Sequence, residues 1–153
     1  MTDSILKTVD VNCAPDLAFE VFVNRVARWW PLDGHAVSAA SGKAALAVTI
    51  EPHVGGAVYE TMYNGERSDW GTVLEFVPGE KLAMTWHPGN NADNPTRVDV
   101  EFAATDDGKT RVTLTHSGWE VWGTDATDRR TSYDGGWDHV LGTCFVQGCM
   151  QDA

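Results

Sequence analysis

The spacing of apolar side chains along the chain changes period twice. Over Ser4 to Val11 it alternates, with Ile5, Val9 and Val11 set against Thr8 and Asp10, the mark of a strand. A helical segment follows. Pro15 suits a first helical position, Asp16 suits the positive end of the helix dipole, and Leu17, Ala18, Val21 and Phe22 form its face. The helix continues or restarts from Arg25 to Trp30, where Pro31 marks its boundary. Leu32 to Lys43 is polar and small-residue, without a period, and reads as a loop.

From Ala44 the period becomes two. Leu46, Val48 and Ile50 alternate with small and polar neighbours, and Val58 to Tyr63 is a further strand. Trp70, Thr72, Leu74 and Phe76 then share one face, followed by Leu82, Met84 and Trp86. Val98, Val100 and Phe102 share another, and Val112, Leu114 and His116 the next. Gly55-Gly56, Asn64-Gly65, Pro78-Gly79, the run PGNNADNP from Pro88 to Pro95, and Asp107-Gly108 supply the turns. Leu32–Lys43 and Pro88–Pro95 are the stretches expected to be mobile, and to gate any cavity whose mouth they flank.

Near the end of the chain the period returns to 3.6. Tyr133, Trp137, Val140, Leu141, Cys144, Phe145 and Gly148 form one stripe of a helix over Tyr133–Cys149, roughly 25 Å long at ~1.5 Å per residue. Gly135, Gly136 and Gly142 weaken it by about 1 kcal/mol each, so it must be held by what its stripe packs against. Short connections make neighbouring strands antiparallel, and one polar face per strand leaves the other face to be covered. The expected architecture is α+β: a strand, two short helices, about six hairpin-linked strands and a long helix gripped by a curved antiparallel sheet. With no repeat or linker, residues 1–153 read as a single domain.

Composition narrows the partners. Against 11 Lys and Arg stand 22 Asp and Glu, a net charge of −11 that repels nucleic-acid phosphates and anionic lipid heads. No stretch reads as a secretory leader or membrane span, and three cysteines, Cys13, Cys144 and Cys149, have no disulfide-framework spacing; a cytoplasmic protein with reduced thiols is expected. Seven tryptophans in 153 residues point to a large aromatic interior. There is no histidine pair at helical spacing with a carboxylate, no Cys-x-x-Cys, no phosphate-binding loop and no dinucleotide glycine fingerprint. Neither metal nor cofactor is expected.

Several pieces of the chain, in order, resemble one superfamily. They are Ala14-Pro15 with Phe19 and Phe22, Trp30-Pro31, Gly55-Gly56, Trp70-Gly71-Thr72-Val73, Pro78 to Leu82, Thr85-Trp86, His116-Ser117-Gly118-Trp119, and Gly136-Trp137 with Val140-Leu141. Together they resemble the helix-grip superfamily called SRPBCC, which includes the START and birch-pollen-allergen-like domains. Within it they are most similar to the branch related to the C-terminal domain of the activator of the heat-shock protein 90 ATPase.

The resemblance implies a ligand cavity between the final helix and the sheet. The phases assign it Trp70, Leu74, Met84, Trp86, Val98, Val100, Phe102 and Leu114 from the sheet, and Tyr133, Trp137, Val140 and Leu141 from the helix. His116 shares the inward face of Val112 and Leu114 and either orients a ligand carboxyl or hydroxyl, acts as a general base, or is satisfied by a core tyrosine or backbone carbonyl. His87 and His139 fall out of phase and are expected at the surface, with His35 and His53 in loops. Asp134 and Asp138, on one helical face, fit dipole compensation or solvation better than acid–base chemistry.

The expected function is binding of an apolar or amphipathic small molecule, by a monomer or homodimer. The alternatives are a chaperone-associated protein that acts on a heat-shock ATPase, and a cyclase- or hydrolase-type enzyme using the same cavity.

Overall fold

The computed structural model describes residues 3–152. Strand β1 (Ile5–Val11) leads into α1 (Pro15–Asn24) and α2 (Val26–Trp29). After a 3₁₀ turn over Val37–Ser41 come β2 (Ala47–Ile50), β3 (Ala57–Thr61), β4 (Arg67–Val77), β5 (Lys81–Trp86), β6 (Thr96–Ala104) and β7 (Thr110–Ser117). A 3₁₀ stretch, Trp119–Asp125, delivers the chain to α3 (Ala126–His139), a π-helical segment (Val140–Phe145) and α4 (Val146–Asp152). The seven strands form one sheet in the order β1-β7-β6-β5-β4-β3-β2, each neighbour antiparallel. The α+β helix-grip architecture expected from the alternation is the one observed.

The sheet curls because its pairing is interrupted. Register shifts fall between Val58 and Tyr59, and between Val73 and Glu75, and such bulges bend and over-twist a strand. Gly71 lies between them, where a Cβ would sit 1.8 Å from the carbonyl oxygen of Thr85; only glycine allows that approach. The irregularity re-phases β4. Trp70 and Val73 are both buried, while Leu74, expected inside from strict alternation, is 38% exposed. Leu46 is likewise turned outward, and its neighbour Ala45 takes the buried place.

The first helix closes one end of the half-barrel. Phe19 and Phe22 pack edge-on against Phe102 of β6, and Phe22 meets Phe145 of the final helix at 5.2 Å between ring centroids. That final helix starts at Ala126, ahead of the expected Tyr133. The added turns are polar nearly all round, with Ala126 their buried residue, so they carry no stripe to read. Lys7 of β1 bridges Asp134 at 3.0 Å and Asp138 at 2.8 Å, which gives those two carboxylates a structural partner rather than a catalytic one. The three cysteines are free thiols.

Two glycines of the same helical run face opposite surroundings. A Cβ on Gly148 would lie 2.8 Å from the Trp29 Cβ, whereas one on Gly135 would meet nothing within 4 Å. Gly148→Ala is expected to destabilise by about 1–3 kcal/mol through overpacking. Gly135→Ala is expected to stabilise by up to ~1 kcal/mol through helix propensity. Urea denaturation of the two variants checks this; shifts of the same sign would contradict the packing described.

Candidate functional site

The sequence places an indole just after α2, one in the first half of β4, one at the end of β5 and one in α3, and the fold brings the four together. Trp30, Trp70, Trp86 and Trp137 wall a cavity of about 500 Å³, partly open to solvent. Ring centroids are 5.2 Å apart for Trp30–Trp70, 5.5 Å for Trp70–Trp86 and 5.6 Å for Trp86–Trp137. Tyr133 and Val140 complete the helix side, and residues 34–37, Ala40, Pro88 and Gly89 form the mouth. No Asp, Glu, Lys or Arg lines it among the described residues, although the chain carries a net charge of −11.

Each wall is held from behind. Glu60 of β3, fully buried, accepts hydrogen bonds from the backbone N–H groups of Val37 (2.7 Å) and Ser38 (2.9 Å), from Ser38 Oγ (2.6 Å) and from Trp70 Nε1 (3.2 Å). One carboxylate thus fixes both the mouth loop and a wall indole, its charge spread over four donors. Trp30 Nε1 donates to the carbonyl oxygen of His35 at 2.7 Å and ties the same loop at a second point. His35 lines the mouth beside His139, with ring centroids 5.6 Å apart, and burial followed by the nearby His139 pushes its pKa down.

The other walls hang on His116. Trp137 Nε1, which can only donate, lies 3.0 Å from His116 Nδ1, so Nδ1 is the acceptor and the ring proton sits on Nε2. Nε2 then donates to Thr96 Oγ1 at 2.7 Å, and Thr96 donates to the Trp86 carbonyl oxygen at 3.0 Å. Both nitrogens of the fully buried ring are used by the protein. Burial holds the imidazole neutral, its pKa lowered from 6.5 to about 3. A neutral buried ring in this relay holds walls in place, and it does not itself line the cavity.

Residues 12–145 match the family described as activator of Hsp90 ATPase homolog 1-like protein. The chain belongs to that family. Among solved structures, an anthrahydroquino-gamma-pyrone synthase, Txn09, is 30% identical and aligns over 96% of this chain and 97% of its own with a TM-score of 0.66. CalC, a self-sacrificing resistance protein of Micromonospora echinospora, is 23% identical over 98% of this chain and 96% of its own, at a TM-score of 0.71. An HSP90 activator from Plasmodium falciparum is 18% identical over 76% of this chain and 74% of its own, at 0.54. The last two likenesses establish the fold alone. No curated protein matches the chain.

Within this family member the sequence-assigned residues divide. Trp70, Trp86, Tyr133, Trp137 and Val140 line the cavity. Met84 lies behind the indoles, on a void of about 10 Å³ with Phe22, Val26 and Ile50. Val98, Val100, Phe102, Leu114 and Leu141 are buried in the core and do not line the cavity. Leu74 is at the surface for the register reason given above. His87, expected to be exposed, is only 7% so, and its Nδ1 has no hydrogen-bond partner. His35, Ala36 and Val37 escaped the sequence reading because the segment that holds them has no period, and Trp30 because it sits at the end of a helix, past the face that its apolar spacing marks. Glu60 shares the parity of Val58, so a carboxylate at an inward strand position was its signal.

Among the described residues no group of three His, Cys, Asp or Glu could hold a metal ion, and no helix is long and apolar enough to cross a membrane.

The His116 relay has a pH signature. Unfolded, the imidazole takes up a proton as pH falls below 6.5; folded, it resists until about pH 3. Its contribution is therefore complete above pH 6.5 and declines by about 1.4 kcal/mol per pH unit as pH drops through that window. His116→Gln removes this dependence, so the stability gap between the native protein and the variant should narrow from pH 7 to pH 4. Parallel urea midpoints across that range would contradict the neutral buried ring.

Proposed function

We propose that the cavity binds a neutral, flat, polycyclic aromatic small molecule. The observation that carries this reading is the wall of four indoles around about 500 Å³ with no charged lining side chain. Such a volume lies in the ordinary range for small-molecule sites, roughly 300–1,000 Å³. Aromatic faces at stacking distance add about 0.5–1.5 kcal/mol per pair beyond area burial. A fatty-acid carboxylate would leave water without a cation to meet it, at a cost of several kcal/mol. The 30%-identical relative, by name an anthrahydroquino-gamma-pyrone synthase, supports polycyclic chemistry of the same shape.

Titration of intrinsic tryptophan fluorescence tests the reading. Neutral tricyclic and tetracyclic aromatics are expected to quench saturably, and saturated fatty acids to leave the emission unchanged. Saturable quenching by the fatty acids, with none by the aromatics, would reverse the assignment.

The family match over residues 12–145 favours a second reading, a partner of the heat-shock ATPase. Stimulated ATP turnover on adding this protein to the chaperone of its host would support it. Unchanged turnover at saturating protein would remove it.

A further inference from the structure

The four cavity indoles are not equivalent as hydrogen-bond donors. Trp30 Nε1 is used by the His35 carbonyl, Trp70 Nε1 by Glu60 and Trp137 Nε1 by His116. Trp86 Nε1 is buried and completes no hydrogen bond in the protein. A buried donor left unpaired costs about 1–3 kcal/mol, and in a structure that satisfies the other three the exception marks where a further group belongs.

The group beside it is the Tyr133 phenol. Burial pushes that phenol's pKa up, and the Trp86 indole works against the rise, the effect of an N–H directed at the phenol oxygen. The two stop short of a hydrogen bond of normal geometry. The phenol stays protonated at neutral pH, and with its oxygen turned to Trp86 its own proton is free to point elsewhere. The ring is held between two neighbours: it packs edge-on against His116 at 4.9 Å and tilted against Trp119 at 5.6 Å between centroids. Tyr133 lines the cavity.

Resting on the binding reading above, we infer that the ligand carries a neutral acceptor, a ring carbonyl oxygen, which accepts a hydrogen bond from the Tyr133 hydroxyl. Trp86 is the positioning residue. As the ligand draws the phenol proton, the phenol oxygen becomes a better acceptor and the Trp86 N–H closes onto it, a cooperative pair of bonds. The ligand class is therefore a planar aromatic ketone or quinone rather than a hydrocarbon or an acid.

Fluorenone and fluorene, planar tricyclics that differ by the carbonyl, separate this inference from the reading it rests on. The native protein should bind fluorenone about ten-fold more tightly than fluorene, as one satisfied hydrogen bond implies. Tyr133→Phe should bring the ratio to about one while fluorene binding is retained, and Trp86→Phe should lower the ratio. In the ¹H–¹⁵N spectrum of the native protein the Trp86 indole resonance should move downfield with fluorenone and less with fluorene. Equal affinities for the two would overturn the acceptor assignment and leave the cavity reading standing. Binding of neither overturns both. A preference that survives in Tyr133→Phe overturns the role of the phenol. Should that variant fail to fold, an unmoved Trp86 resonance in the native protein does the same.

Discussion

A single neutral imidazole holds the centre of this protein. His116 receives the indole N–H of Trp137 from the final helix and passes its own proton to Thr96 of β6, which in turn reaches the backbone of β5 at Trp86. Four elements are thereby fixed to one ring: the helix, and three adjacent strands. The arrangement works only if the ring is uncharged, since an imidazolium has no lone pair for Trp137 to donate to. Burial enforces that condition. The hydrogen bonds set the angle at which helix meets sheet, and with it the separation of Trp86 and Trp137 across the cavity. Trp119, whose indole N–H reaches the His116 carbonyl oxygen at 3.0 Å, closes the ring in from the far side.

A second buried group performs the same service for the opposite wall. Glu60 holds its charge inside the protein without a cation among its hydrogen-bond partners, relying on four donors drawn from a loop and an indole. The result is an odd distribution of polarity. Formal charge is concentrated at the surface and on one carboxylate behind the wall, and the space in between presents aromatic faces and neutral donors. A cavity of this kind discriminates by shape and by the position of a few polar atoms rather than by charge.

Much of this was legible in the residues, and the parts that were not failed for identifiable reasons. Alternation located the six strands after the helices, and the stripe through Trp137, Leu141 and Phe145 located the helix they grip. The same alternation misplaced Leu74, because a bulge changes which face a strand presents without leaving a mark in the pattern beyond Gly71. Trp70, Trp86, Tyr133 and Trp137 were assigned to the cavity from phase and resemblance. Trp30 and His35 were not, since their places depend on a loop whose conformation is decided by Glu60, distant in sequence and readable only as a carboxylate on an inward face. His87 was judged by parity at the end of β5, where the strand has already given way to a turn and parity no longer applies.

The packing of the tryptophans also makes the interior a single optical object. Trp29, Trp30, Trp70, Trp86 and Trp137 form a chain of indoles whose consecutive ring centroids are 5.2–5.7 Å apart. At these separations the transition dipoles of neighbouring rings couple, and excitation absorbed by one is shared among all before it is emitted. Emission from this set is then depolarised even in a rigid molecule, and its colour reports the lowest-energy indole rather than an average over the five. Exciton bands from the tilted pairs overlie the peptide bands in the far ultraviolet, so helix content read there by circular dichroism would be displaced from the true value. A change at any one wall is felt optically by the whole set.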